Sequence, residues 1–157
     1  MDEATYIAVS EQHMASFFRT AYSILKKRHD AEDAVQQALL NAWKSRDKVR
    51  EGAERAWMMR ILINECYNIL RQRKRSAGSE EIPDIAVPFA SSLDTGLYDA
   101  IRSLPEELRT PFLLKYMEGM TEKEVATAMS LPLPSVKYRL LRARKTLQKE
   151  LKEEVVL

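Results

Sequence analysis

The densest run of functional groups in this sequence lies toward its C-terminal end, where Lys137, Arg139, Arg142, Arg144 and Lys145 crowd together. Ammonium and guanidinium groups neutralise phosphates, and a bidentate arginine matches the O6/N7 edge of guanine. Val136, Leu140, Ala143, Leu147 and Leu151 recur among them at intervals of three or four, which defines the inward stripe of a helix and leaves the cations mainly outside it. A charge run alone describes many solvated helices. This one opens a helix that follows a capped short helix and a tight turn, with no acidic residue before Glu150. That context favours duplex DNA as the ligand.

Two further constellations have a different character. Arg60, Asn64, Asn68, Arg71 and Arg75 recur at four, four, three and four, forming one polar stripe with Tyr67 beside it. Asn offers donor and acceptor to a base edge, and Arg and aromatic rings offer stacking planes, so the stripe suits unpaired nucleotides as well as it suits plain solvent. Asp30, Glu32, Asp33, Gln36, Gln37 and Asn41 make an acidic, amide-rich face. Nucleic acid would not be met by such groups; solvent or an arginine-bearing protein would.

Enzyme chemistry has no foothold. His13 and His29 stand apart without metal-ligand spacing and read as surface residues. The single cysteine, Cys66, sits in an apolar helical pattern and reads as a buried thiol. No Gly-rich phosphate loop, nucleophile elbow or carboxylate pair occurs, so neither a catalytic residue, a metal nor a cofactor is expected.

The elements that carry these groups are all helical. Met14, Phe17, Phe18, Ala21, Ile24 and Leu25 mark a first amphipathic helix over Ser10–Arg28. Asp30 is expected to cap a second helix, whose stripe runs Ala34, Val35, Ala38, Leu39, Ala42 and Trp43. A third extends from about Ala53 to Arg75. Periodicity then collapses across SAGSEEIPDIAVPFASS, an acidic, proline-containing stretch that reads as an extended, mobile linker. Beyond it come Leu93–Ser103, a helix opened by Pro105 and closed at Gly119, a short helix behind the capping box Thr121–Glu124, and a final helix from about Ser135 to Glu154. The expected architecture is all-α: an N-terminal domain over 1–75, a flexible linker over 76–92, and a C-terminal helix-turn-helix domain over 93–157.

Bulk properties add little. The net charge of +2 is uninformative, the N-terminus MDEATYIAV lacks the basic start of a signal peptide, and no apolar run approaches the length of a membrane span, so a cytoplasmic protein is expected.

Three strings carry a family resemblance. FFRTAYSILKKRHDAEDAVQQALLNAWK and AWMMRILINECYNILRQRKR resemble the two halves of the N-terminal domain of extracytoplasmic-function (ECF) sigma factors, and LPEELRTPFLLKYMEGMTEKEVATAMSLPLPSVKYRLLRARKTLQKEL resembles their C-terminal domain. The resemblance covers both domains in order. It implies a factor that binds core RNA polymerase and directs promoter recognition, −10 melting and transcription initiation. Asp33, Gln36, Gln37 and Asn41 would contact the clamp helices of the β′ subunit. Residues Arg50–Arg55 would form the −10 specificity loop, with Arg60, Asn64, Asn68 and Arg71 facing the melted strand. Ser135, Lys137, Tyr138, Arg139, Leu141 and Arg142 would read the −35 duplex, with Arg144 nearer the phosphates. An anti-sigma factor is the implied regulatory partner. Three positions depart from the common pattern: Gln37 replaces a frequent Glu, Tyr138 a frequent small residue, and Ser130 with Leu133-Pro134 a Gly-containing turn. A stand-alone helix-turn-helix regulator is the competing reading; it would need a dimer to read two half-sites, and no heptad supplies one.

Overall fold

The computed structural model describes residues 1–76 and 95–155, and among them every regular element is a helix. The linker expected over 76–92 lies outside the described residues apart from Ser76. In chain order the helices are α1 (Glu3–Leu25), α2 (Arg28–Lys44), α3 (Glu54–Arg75), α4 (Thr95–Ser103), α5 (Glu106–Tyr116), α6 (Glu122–Met129) and α7 (Leu133–Val155).

Three starts differ from expectation. α1 begins seven residues before Ser10, because Asp2 caps it by accepting the Thr5 N–H at 2.7 Å. Asp30 does not cap α2; the helix starts at Arg28 behind Lys27, and the Asp30 carboxylate instead pairs with Arg73 of α3. A backbone path already helical before Asp30 leaves its side chain free for that tertiary role. α7 likewise starts at Leu133, two residues ahead of Ser135.

The N-terminal three helices close around small residues. Ala31, Ala34, Ala38 and Ala42 of α2 are buried, and their short side chains let α2 lie close against α1 and α3. α3 is buried on two sides, through Ala56, Met58, Met59, Leu62, Ile63 and Cys66. The first side faces α1 and α2; the second faces α6. In the C-terminal half, the capping box forms as read: Thr121 Oγ1 accepts the Glu124 N–H and Glu124 accepts the Thr121 N–H, each at 3.1 Å. Ser130 takes the left-handed backbone (φ 55°) that turns α6 into α7, at a cost of about 1 kcal/mol for a residue with a Cβ.

The two halves share a core. Leu114, Met120, Val125, Ala128, Val136 and Leu140 belong to one buried cluster with Phe17, Met59, Ile63 and their neighbours. A smaller cluster, Ala100, Ile101, Leu104, Leu108, Ala143 and Leu147, belongs to the C-terminal half alone. Arg109 adds a polar tie: its buried guanidinium donates to Leu104 O (2.8 Å) within its own half and to Ser23 O (3.1 Å) at the end of α1.

Candidate functional site

Three exposed surfaces carry the residues singled out above. On α2, Asp33, Gln36 and Gln37 are exposed in the helix's first half, directed away from the alanine stripe. Asn41 is half-buried and bridges elements: it accepts from Gln37 Nε2 at 3.1 Å and donates to Glu65 Oε1 of α3 at 2.9 Å. Between α2 and α3 runs an open cleft of about 650 Å³ whose lining includes Asp33, Gln36 and Gln37 on one wall and Asn68, Arg71 and Arg75 on the other. An acidic, amide-rich wall therefore faces a basic one.

On α3, Arg60, Asn64, Asn68 and Arg71 are all exposed along one stripe, and Arg71 hydrogen-bonds the Asn68 amide oxygen. Arg50 is exposed in the loop before the helix, where Gly52 takes φ +88°. Arg55 departs from this group. It sits in the first turn of α3 and reaches across to the C-terminal half, donating to Glu124 Oε2 at 3.0 Å and to the Glu118 carbonyl at 3.4 Å. Tyr67 turns the same way. Burial, then the charge of Glu106, push its phenol well above the ordinary range, so it is a half-buried seam residue rather than a stacking plane beside the stripe.

On α7, Lys137, Tyr138, Arg142 and Arg144 are exposed, Ser135 and Arg139 half-buried. The inward stripe is as expected, with Val136, Leu140 and Ala143 fully covered. Two of the arginines lean back on α5: Arg139 donates to the Glu107 carbonyl at 3.4 Å and Arg144 to the Tyr116 hydroxyl at 2.8 Å. Arg142 lies over the Tyr138 ring instead, 5.8 Å from its centroid.

His13 corrects an expectation. It is half-buried beside Phe17 (6.2 Å between rings) rather than on the surface. Desolvation, and then the nearby Arg55 charge, hold its pKa below the ordinary value, with Glu124 opposing weakly. The pairing of Arg19 with Glu118 and of Arg55 with Glu124 had no signal in the sequence, because it reflects tertiary packing and no helical repeat connects the partners. Cys66 is fully buried as read.

Comparisons with known proteins bear on both halves. Residues 9–76 match the family described as Sigma-70 region 2, and residues 95–147 match Sigma-70, region 4. The chain is 29% identical over 143 residues to the ECF RNA polymerase sigma-E factor of Haemophilus influenzae, covering 79% of this chain and 76% of that protein. It is 28% identical over 159 residues to the RNA polymerase sigma factor SigV of Bacillus subtilis, covering 97% and 94%. Among solved structures, it is similar to the sigma factor RpoE co-crystallised with the anti-sigma factor NepR from Bartonella quintana (TM-score 0.77, 29% identity, 91% of this chain and 94% of that one). The fold is also that of CnrH in complex with the cytosolic domain of CnrY, at TM-score 0.67 and 22% identity over 97% and 90% of the two chains. Among the described residues, no helix is long and apolar enough to cross a membrane.

Proposed function

The chain belongs to the sigma-70 family, in its ECF branch with regions 2 and 4 in order, and on that premise we propose how its surfaces divide the work of initiation. Asp33, Gln36, Gln37 and Asn41 of α2 dock on the β′ clamp helices of core RNA polymerase. Arg50, Arg60, Asn64, Asn68 and Arg71 hold the −10 element as a melted strand, and Arg55 joins them when it leaves Glu124. Ser135, Lys137, Tyr138, Arg139, Arg142 and Arg144 engage the −35 element as duplex. The units are an N-terminal domain over 1–75 and a C-terminal domain over 93–157, joined by 76–92.

One observation carries this reading: three chemically distinct exposed surfaces lie on one chain, and the acidic and basic ones face each other across a single cleft. A polymerase docked on the α2 wall would bring a melted strand alongside the α3 wall. Neither DNA surface needs high affinity alone, because polymerase and linker fix their spacing and raise the effective concentration of each site for the other. Capture of extruded bases offsets a few kcal/mol of unstacking per step. The factor acts by binding rather than by catalysis, and works in the cytoplasm with the polymerase and its template. An anti-sigma factor regulates it, as NepR partners the related RpoE. A stand-alone regulator would have no need of the region 2 match, and that reading gives way.

Reconstitution tests the proposal. The full chain is mixed with bacterial core polymerase and assayed for co-elution and for initiation on a promoter pool. Co-elution with initiation at a shared −35/−10 pair is expected; duplex binding without polymerase association would overturn it.

A further inference from the structure

We infer that Tyr138 and Arg142 form a two-part base reader that selects, within the −35 duplex, a guanine with a thymine as its immediate neighbour. The inference rests on the sigma reading above and narrows it to a base step.

The cations of α7 are not equivalent. Arg139 and Arg144 spend donors on the Glu107 carbonyl and the Tyr116 hydroxyl, which holds both back toward α5. Lys137 is exposed, but an ammonium is a point charge and lacks a fork. Arg142 alone combines exposure with a guanidinium that no hydrogen-bond acceptor among the described residues holds. A free fork of this kind pairs with O6 and N7 of guanine.

Tyr138 supplies the other part of the reader. Its side chain is 59% exposed, on the outer face of α7, and Leu141 beside it is 43% exposed. Among the described residues, none buries this apolar surface. In the major groove the one apolar feature a ring can meet is the thymine C5-methyl group. The Tyr138 ring and the Arg142 guanidinium sit one helical turn apart with 5.8 Å between them. Groups that close together reach neighbouring base pairs, stacked about 3.4 Å apart, rather than distant ones. The ring also flanks the guanidinium and limits its swing, so the fork is pre-oriented for the guanine. A short polar side chain at 138 could do neither.

The test uses holoenzyme reconstituted from the full chain and core polymerase, initiating on promoters with a randomised −35 segment. The wild-type selection is expected to return a guanine adjoining a thymine. Tyr138→Ser should lose the thymine preference and keep the guanine; Arg142→Ala should lose the guanine. Deoxyuridine in place of that thymine should weaken wild-type initiation about fourfold, the worth of one methyl group left in water, and leave Tyr138→Ser indifferent. A wild-type selection without the G–T neighbour, or a Tyr138→Ser selection identical to wild type, would overturn the inference while leaving the sigma reading intact. If the wild type failed to initiate with core polymerase, the sigma reading would fall. The same library, selected by duplex retention on the full chain, would then decide the Tyr138 question by the same criteria.

Discussion

Arg19 of α1 and Glu118, ninety-nine positions later, meet through two hydrogen bonds, Nε to Oε2 at 3.1 Å and Nη2 to Oε1 at 2.6 Å. The Glu118 side chain is 5% exposed and the Arg19 side chain 44%, so the carboxylate depends on this partner far more than the arginine does. Arg19→Ala would leave a covered carboxylate facing a gap. Allowing for the solvent that reaches Arg19, the loss should be about 2 kcal/mol, read as a lower urea midpoint. Exchanging the charges, Arg19→Glu with Glu118→Arg, should recover part of it. Simple additivity of the two changes would show that the pair contributes nothing.

Glu124 and Arg55 make the second ion pair of the seam. Glu124→Gln removes the charge while keeping a residue that completes the capping box with Thr121. The free chain should then bind single-stranded DNA about threefold more tightly at low salt, the worth of one partly exposed ion pair, because Arg55 no longer has a competing anion. Fluorescence anisotropy across a salt series should show the difference shrinking as salt rises. Equal affinities at low salt would remove Arg55 from the strand-binding surface.

His13 links the same seam to pH. Its folded-state pKa lies below the ordinary 6.5, chiefly because burial disfavours the imidazolium. As pH falls through 6.5, the unfolded chain takes up the proton first, so stability declines over the window down to the folded value. Thermal melts from pH 8 to pH 5 should show this decline, and His13→Gln should flatten it. An unchanged slope would assign the titration to other groups.

Cys66 should be inert. Burial, reinforced by the charges of Glu106 and Glu65, pushes its thiol up to about 12. Thiol reagents at pH 8 should leave the native chain unlabelled and modify it fully in denaturant. Labelling of the native chain faster than global unfolding would reveal local opening of α3.

Much of this molecule is legible in its residues because helical periodicity reports which face is buried. The stripe of α7, the capping box at Thr121 and the burial of Cys66 all follow from spacing or from residue type, and the structure carries each of them. The seam was not legible. Arg19 with Glu118 and Arg55 with Glu124 are contacts between helices distant in sequence, and no local pattern marks them. Tyr67 illustrates the same limit: beside a polar stripe it reads as exposed, yet α5 brings Glu106 over it. Asp30 escapes a local reading for a related reason, since a carboxylate near a helix start serves equally as a cap or as a partner for a distant arginine.

The buried cluster that runs from Met59 and Ile63 of α3 into Val125 and Ala128 of α6 has a thermal consequence. Separating the halves wets apolar surface, and that carries a large positive heat capacity change. The hydrophobic part of the free energy holding them together therefore weakens on cooling. Their association has a temperature of greatest stability and loosens on either side of it.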